Sequence, residues 1–259
     1  MGSHVKSTTM MPIGRIRSCF PEKFGIPKQG VICPSSEGHI EFSPHIDVVA
    51  MTAGLESFSH LWILWLFHQN KNKSLLKKIH PPRLEGKKAG IFSSRSPHRP
   101  NPIGMTVVKI MQLTEKYIFI GGLDMVDKTP VLDIKPYIPQ WDSFPEATSG
   151  WLTHKPERHY EVNFSPQSLM DLSQLAIQGF LIKNTEEVKT AISECLSIDP
   201  RPRAYIKMDE TLTDNQKPLY AFRIFNLDVK FRWLENRFII TQIDFVTDPM
   251  NTNEDPSPL

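Results

Sequence analysis

Gly104-Met105-Thr106-Val107-Val108-Lys109-Ile110-Met111-Gln112-Leu113, followed three residues later by Tyr117-Ile118-Phe119-Ile120-Gly121-Gly122-Leu123, is the stretch that decides the fold. The first run reads as a strand, and the second alternates well enough to pair with it as a hairpin. Working outward, Ile13 to Arg17 alternates β-branched residues with Gly and Arg, and His39-Ile40-Glu41-Phe42 makes another short strand. Leu61-Trp62-Ile63-Leu64-Trp65-Leu66-Phe67 is apolar on both faces, as a buried central strand is. A short helix is the competing reading there, because periodicity does not separate the two. Lys87 to Phe92 reads as one more strand, ahead of the Pro-rich loop at 97–102. Residues 10–145 therefore make a mainly β domain, a barrel or a strongly bent sheet. No strand leads into a Gly-rich turn and helix, which argues against a Rossmann domain.

Beyond it the pattern changes. Residues 146–163 lack periodicity and read as a linker. Ser165-Pro166 supplies an N-cap and a first-turn Pro for a helix to about Gln178. Asn184 with Glu187 is a capping box for a second helix, to about Leu196. Three strand-like runs follow, centred on Tyr220 to Phe225, Asp228 to Trp233 and Phe238 to Phe245. Residues 164–247 thus make a small α+β C-terminal domain, and the polar, Pro-containing tail 248–259 is expected to be disordered.

Hydrophobic residues are 40% of the 259 and charged residues 22%, ordinary for a soluble globular chain. The near-neutral total hides an asymmetry: eighteen basic against twelve acidic residues in 1–150, twelve against sixteen in 151–259. Lys71, Lys73, Lys77, Lys78, Arg83, Lys87, Lys88, Arg95 and Arg99 face a single acid, Glu85, within one short stretch. Such a cluster suits a phosphate-rich partner, although charge alone favours a solvated surface. Cys19, Cys33 and Cys195 form no Cys-x-x-Cys pair, so neither a disulfide framework nor a zinc site follows, and a reducing, cytoplasmic compartment fits. The longest apolar run is too short to cross a bilayer, and the first eleven residues carry no signal-peptide core.

Chemistry concentrates in loops. In Arg95-Ser96-Pro97-His98-Arg99-Pro100-Asn101-Pro102-Ile103-Gly104 each Pro fixes its own φ and extends the residue before it. A loop so stiffened loses little entropy on binding, and Arg95 and Arg99 offer planar donors to carboxylate or phosphate. Asp124 to Tyr137 sets three aspartates among apolar residues, where unpaired carboxylates are costly. Asp127 is either a turn residue before Thr129-Pro130 or a ligand contact. Asp133 and Lys135 share a face, as an ion pair or as a pocket wall. His60 and His68 fall eight apart with no third ligand at metal spacing, so satisfied core histidines are the simpler reading.

Together these segments resemble the TrmO family. The matching blocks are Ile13 to Ser18, Glu22-Lys23-Phe24, Pro27-Lys28-Gln29, Gly54 to Trp62, Phe67-His68-Gln69, Pro81 to Leu84, Arg95 to Gly104, Asp124 to Tyr137 and Asp199-Pro200-Arg201-Pro202. The resemblance implies a non-Rossmann β-barrel methyltransferase that uses S-adenosylmethionine to methylate N6 of threonylcarbamoyladenosine beside the tRNA anticodon. It also implies a homodimer with the cofactor near the interface. By position it assigns Pro27, Lys28, Gln29, His68, Gln69, Arg95, Met105, Asp124, Met125, Val126 and Asp127 to the cofactor. Arg95, Arg99, Asn101 and Lys135 are candidates for anionic groups of cofactor or substrate. A ureido-type nitrogen is a weak nucleophile, so loss of its proton aids attack, and Asp133, Tyr137 and His98 are the candidate bases. No metal is required. Two departures stand out: Lys128 occupies a turn position where Gly is common, and Lys28 replaces a frequent Arg, turning a bidentate contact into a point charge.

Two other function classes remain open on sequence grounds. A methyltransferase with a different substrate would be separated by nucleoside mass analysis of cells lacking the gene. A non-catalytic RNA-binding or interaction module would keep the basic stretch but give no heat on cofactor titration.

Overall fold

The computed structural model describes residues 9–70, 76–81, 84, 86–154 and 158–247. Lys71, Lys73, Arg83 and Glu85 of the basic stretch, and the tail 248–259, lie outside the described residues. Along the chain come β1 (Gly14–Ser18), β2 (Glu37–Phe42), the one-turn α1 (Val48–Met51) and β3 (His60–Leu66). Next are β4 (Lys78–Ile79), β5 (Ala89–Gly90), β6 (Ile103–Leu113), β7 (Tyr117–Gly121) and β8 (Pro130–Pro136). Six of these close an antiparallel barrel in the order β1-β2-β7-β6-β3-β8, while β4 and β5 pair as a separate ribbon. Alternation decides the interior: Ile16, Ile40, Leu61, Ile63, Val108, Ile118, Ile120 and Val131 point inward and are buried.

The apolar run at 61–67 is a strand, but only one of its faces is covered. Leu61, Ile63 and Trp65 are buried, whereas Trp62, Leu64 and Leu66 on the outward face are only half-buried. The strand expected over Lys87 to Phe92 is reduced to Ala89–Gly90. The hydroxyls of Ser93 and Ser94 donate back to Gly90 O and Ile91 O, each at 2.8 Å, and bend residues 91–93 into a 3-10 turn. Lys128 has φ 65°, so the left-handed turn is made here by Lys instead of Gly.

After α2 (Pro139–Asp142) comes a second sheet, and it begins inside the expected linker. β9 (Glu161–Phe164) runs parallel to the last strand of the chain. It is followed by α3 (Pro166–Ile177), α4 (Thr185–Ser197), α5 (Arg203–Asp209), β10 (Tyr220–Ile224), β11 (Leu227–Leu234) and β12 (Arg237–Phe245). The order is β10-β11-β12-β9, with four strands where the sequence indicated three. Both predicted caps form: Ser165 Oγ accepts from Ser168 N, and Asn184 with Glu187 closes a capping box. One hydrophobic cluster joins the two sheets, running from the barrel residues through Cys19, Phe20 and Cys33 to Cys195, Phe222 and Phe231. All three cysteines are free and buried. No helix among the described residues is long and apolar enough to cross a membrane.

The Asp199-Pro200-Arg201-Pro202 block encloses an ion cluster. The Arg201 side chain is 1% exposed and donates through Nε and Nη2 to Asp199, both at 2.8 Å, and through Nη1 to Asp209. Tyr220 Oη donates to the other Asp209 oxygen at 2.8 Å, and the guanidinium lies 4.5 Å from the Trp233 ring centroid. Removing the arginine leaves two carboxylates without their cation, away from water. Arg201→Leu should therefore lower stability by about 3–5 kcal/mol in urea unfolding near neutral pH; a loss under about 1 kcal/mol would show that the cluster is solvated.

Candidate active site

β1, β3 and β7 end, and β2, β6 and β8 begin, at one rim of the barrel. Four connections meet there: residues 19–36, 67–70, 94–102 and 122–129. Their mutual contacts are specific. Lys23 Nζ donates to Gln69 O at 2.7 Å, Asn70 Nδ2 to Pro97 O at 3.0 Å, and Asp127 N to Phe20 O at 2.8 Å. The Arg95 guanidinium donates to Gln29 Oε1, tying the stiff loop to Pro27-Lys28-Gln29. Pro27 is buried, and Lys28 and Arg95 are exposed.

Asp124 sits at the centre. Its carboxylate accepts from Thr106 Oγ1 at 2.7 Å and from the Gly30 amide, and Thr106 Oγ1 in turn accepts from Trp65 Nε1 at 3.1 Å. Gly30 is required for this approach, since a Cβ there would lie 1.9 Å from Gly122 O. Burial pushes the Asp124 carboxyl up to about 6, against the opposing pull of Thr106, Gly30 and the Arg95 charge. The result is a carboxyl poised near physiological pH beside an exposed guanidinium. Partial desolvation, and the nearby Lys23 charge, lower the His68 pKa from its ordinary value.

The remaining site candidates divide. Met125 is fully buried in the core and Val126 is buried, so their side chains face inward from the rim. Asp127 is turned into the fold: its carboxylate accepts from Ser18 N at 3.0 Å and lies 3.6 Å from Arg17 Nη1, next to the turn made by Lys128. Arg99 is turned into its own loop, where Nη1 donates to Ser94 O at 2.6 Å and the guanidinium lies 5.9 Å from the Phe92 ring centroid. That engagement weakens its case as an anion ligand. Asn101 is exposed on the loop, and His98 is half-buried with Nδ1 lacking a partner.

Met105 lies on the outward face of β6, 49% exposed, paired in register with Leu64. On the other side of Leu64 is Asp133, whose Oδ2 pairs with Lys135 Nζ at 2.9 Å. The shared face of Asp133 and Lys135 is thus an exposed ion pair on the barrel wall. Tyr137 is at the opposite rim, its amide donating to His60 O and its ring against Trp62, some 20 Å along β3 from the convergent loops. His60 is tied to Ser59 Oγ, and His68 is exposed beyond the strand end instead of resting in the core. Thr106, Trp65 and Gly30 were missed from sequence. The available signal was a lone hydroxyl at an inward position of β6, between Gly104 and Val108.

Comparison with known proteins gives a consistent outcome. The tRNA-methyltransferase O N-terminal domain matches residues 15–143, and the TrmO C-terminal domain matches residues 157–246. A Pseudomonas aeruginosa protein named putative S-adenosylmethionine-dependent methyltransferase RcsF is 38% identical over 87% of this chain and 92% of its own. An Escherichia coli protein named tRNA (adenine(37)-N6)-methyltransferase is 35% identical over 90% of this chain and 96% of its own. The crystal structure of TrmO from P. aeruginosa superposes with a TM-score of 0.74 at 31% identity, covering 94% of this chain and 100% of that one.

Because the Asp124 pKa is raised on folding, its contribution favours the folded state at low pH and fades as pH rises through about 6. Between about pH 4 and pH 7, urea titrations should show wild type losing up to about 3 kcal/mol relative to Asp124→Asn, which does not ionise. A difference constant with pH would contradict the burial argument.

Proposed function

The chain belongs to the TrmO family, and from that premise we propose that it is an S-adenosylmethionine-dependent methyltransferase acting on tRNA. The target is N6 of the threonylcarbamoyladenosine beside the anticodon, the place named for the E. coli relative as adenine 37. The observation that carries this reading is the convergence of Gln29, Arg95 and Asp124 from three separate loops on one rim.

The donor set fits the cofactor. S-adenosylmethionine carries a carboxylate, an ammonium and a sulfonium, and supplies an electrophilic methyl group when bound. Arg95 suits the carboxylate and an ionised Asp124 suits the positive charge. Gln29, Gln69 and the backbone of residues 27–30 suit its neutral polar groups. The loops' work is then alignment and exclusion of water, because methyl displacement at sulfur needs an in-line approach and little else. Among the candidate bases His98 is favoured, since it lies in the convergent loops while Asp133 is ion-paired and Tyr137 occupies the other rim. Exposed Lys78 on the β4–β5 ribbon, with Lys77, Lys87 and Lys88 flanking it, lies just before the stiff loop in the chain and suits the tRNA phosphates.

A homodimer belongs to the same proposal. The outward stripe of Trp62, Leu64, Leu66, Met105 and Val107 is apolar and incompletely covered, which suits a second copy. Such pairing would bring Met105, Asp133 and Lys135 up to the partner. Work in a cytoplasmic compartment is consistent with the three free thiols.

The direct test is methyl transfer from labelled S-adenosylmethionine to an anticodon stem-loop carrying threonylcarbamoyladenosine, with unmodified adenosine as the control. Calorimetry should show Arg95→Ala binding the cofactor about tenfold more weakly; unchanged affinity would remove Arg95 from the cofactor site. Met105→Glu should convert a dimer into monomers in analytical ultracentrifugation while leaving the melting temperature within a few degrees. A variant that stays dimeric would place the interface elsewhere.

A further inference from the structure

The loop bearing Pro27-Lys28-Gln29 has no framework of its own. Between Pro21 and Gln29 it carries neither helix nor strand, only a turn at Phe24-Gly25. Side-chain bonds from Lys23 to Gln69 O and from Arg95 to Gln29 tie it to the neighbouring rim loops, and packing against the second sheet grips it from behind. The Phe24 ring stacks on Phe231 of β11, with centroids 6.4 Å apart and planes 10° from parallel. Gly25, at φ +92°, lies so close to Phe222 of β10 that a Cβ would come 2.4 Å from its ring.

Both ends of the connection are fastened to the same unit. Phe225 N donates to Cys19 O at 2.6 Å. Glu194 of α4 accepts from Ser35 N at 2.9 Å and from Ser35 Oγ at 3.1 Å, and Cys33 Sγ is 3.3 Å from Cys195 Sγ. Lys183 Nζ pairs with Glu37 Oε2 at 2.6 Å. Phe222 and Phe231 are themselves fully buried, and Tyr220 of the Arg201 cluster stacks on Phe231 at 5.5 Å.

We propose that the C-terminal sheet is a positioning platform for the loop of residues 22–29, and that the Phe24–Phe231 and Gly25–Phe222 contacts set the affinity for S-adenosylmethionine. Phe231 and Phe222 are positioning residues: they touch the loop, and the loop's far side carries Gln29 toward Arg95. The platform acts before the cofactor arrives. A loop held in its bound geometry loses less conformational entropy on binding, so loosening it weakens affinity without altering the reacting groups. The proposal rests on the cofactor reading of this rim given above.

The test is a double-mutant cycle on the full-length protein with Phe24→Leu and Phe231→Leu, read by cofactor calorimetry, methyl-transfer kinetics and thermal melting. Each single variant should weaken S-adenosylmethionine binding by about tenfold while keeping kcat at saturating cofactor. The double variant should be no weaker than the worse single one, because both remove one contact. Phe24→Tyr, which keeps the ring, should bind as wild type does. Leu172→Ala, at a buried position of α3, should lower the melting temperature at least as much as Phe231→Leu with cofactor affinity unchanged. Unchanged affinity in both Leu variants overturns the proposal, as does equal weakening in Leu172→Ala, which would make the effect one of general stability. If Phe231→Leu does not fold, Phe24→Leu with its Tyr rescue decides the matter from the loop side. Wild-type protein without affinity for S-adenosylmethionine would be a different failure, overturning the function on which this platform depends.

Discussion

The structure depends on how the connection between β1 and β2 is buried. Closing six strands into a barrel leaves no free edge, so rim connections must find partners outside the ladder. The 19–36 connection finds them on two sides at once. Ser36 Oγ donates to Cys33 O at 2.6 Å and accepts from Leu123 N at 2.6 Å, which binds the connection to the β7–β8 turn. Phe20 and Cys33 are fully buried in the cluster shared with the second sheet. The two sheets are therefore halves of one core, and the rim geometry is a property of both.

Charge is divided in keeping with this. The Arg201 cluster is dry, with each charge matched by hydrogen bonds, and it serves the packing of β10 to β12. Asp124 and Arg95 are matched less completely, by a hydroxyl, an amide and a flexible carboxamide. A desolvated carboxyl raised to about 6 is an unfavourable element of the fold. Groups of this kind concentrate where a ligand of opposite charge completes the set. That contrast within one chain separates the cluster that stabilises the fold from the cluster that suits a ligand.

Legibility in the sequence followed the range of the interactions. The β6–β7 hairpin, the Ser165 cap and the Asn184–Glu187 box are local, and the residues that specify them sit within a few positions of each other. β9 falls mostly within the stretch that reads as linker, because its pairing is parallel and with the last strand, over seventy residues away. The stiffness of the Pro loop is legible from its composition. Its arginines were not separable, because the choice of Arg95 for the rim and Arg99 for the loop's own carbonyls depends on where Gln29 and Ser94 fall in space. Similarly, nothing adjacent to Asp124 signals that Gly30 and Thr106 converge on it, nor that Asp127, three residues on, turns to Arg17 and Ser18.

The platform also explains why the loops can do without regular structure. A strand or helix at the rim would bring its own ladder, and with it a fixed spacing of side chains. Irregular backbone gripped from behind by aromatic rings can place Pro27, Lys28 and Gln29 at a spacing that suits a ligand, because the grip acts on Phe24 and Gly25 and imposes no strand or helix repeat on the residues that follow. The stiff loop opposite is fixed by a different device, its prolines and its internal Ser and Arg99 hydrogen bonds. One wall of the proposed cofactor site is thus rigid by covalent geometry and the other by packing against the second sheet. Changes in the C-terminal sheet should therefore reach the second wall and leave the first unaltered, and under the proposed function that asymmetry would let cofactor affinity change while the Pro loop and the basic ribbon beside it keep their approach to tRNA.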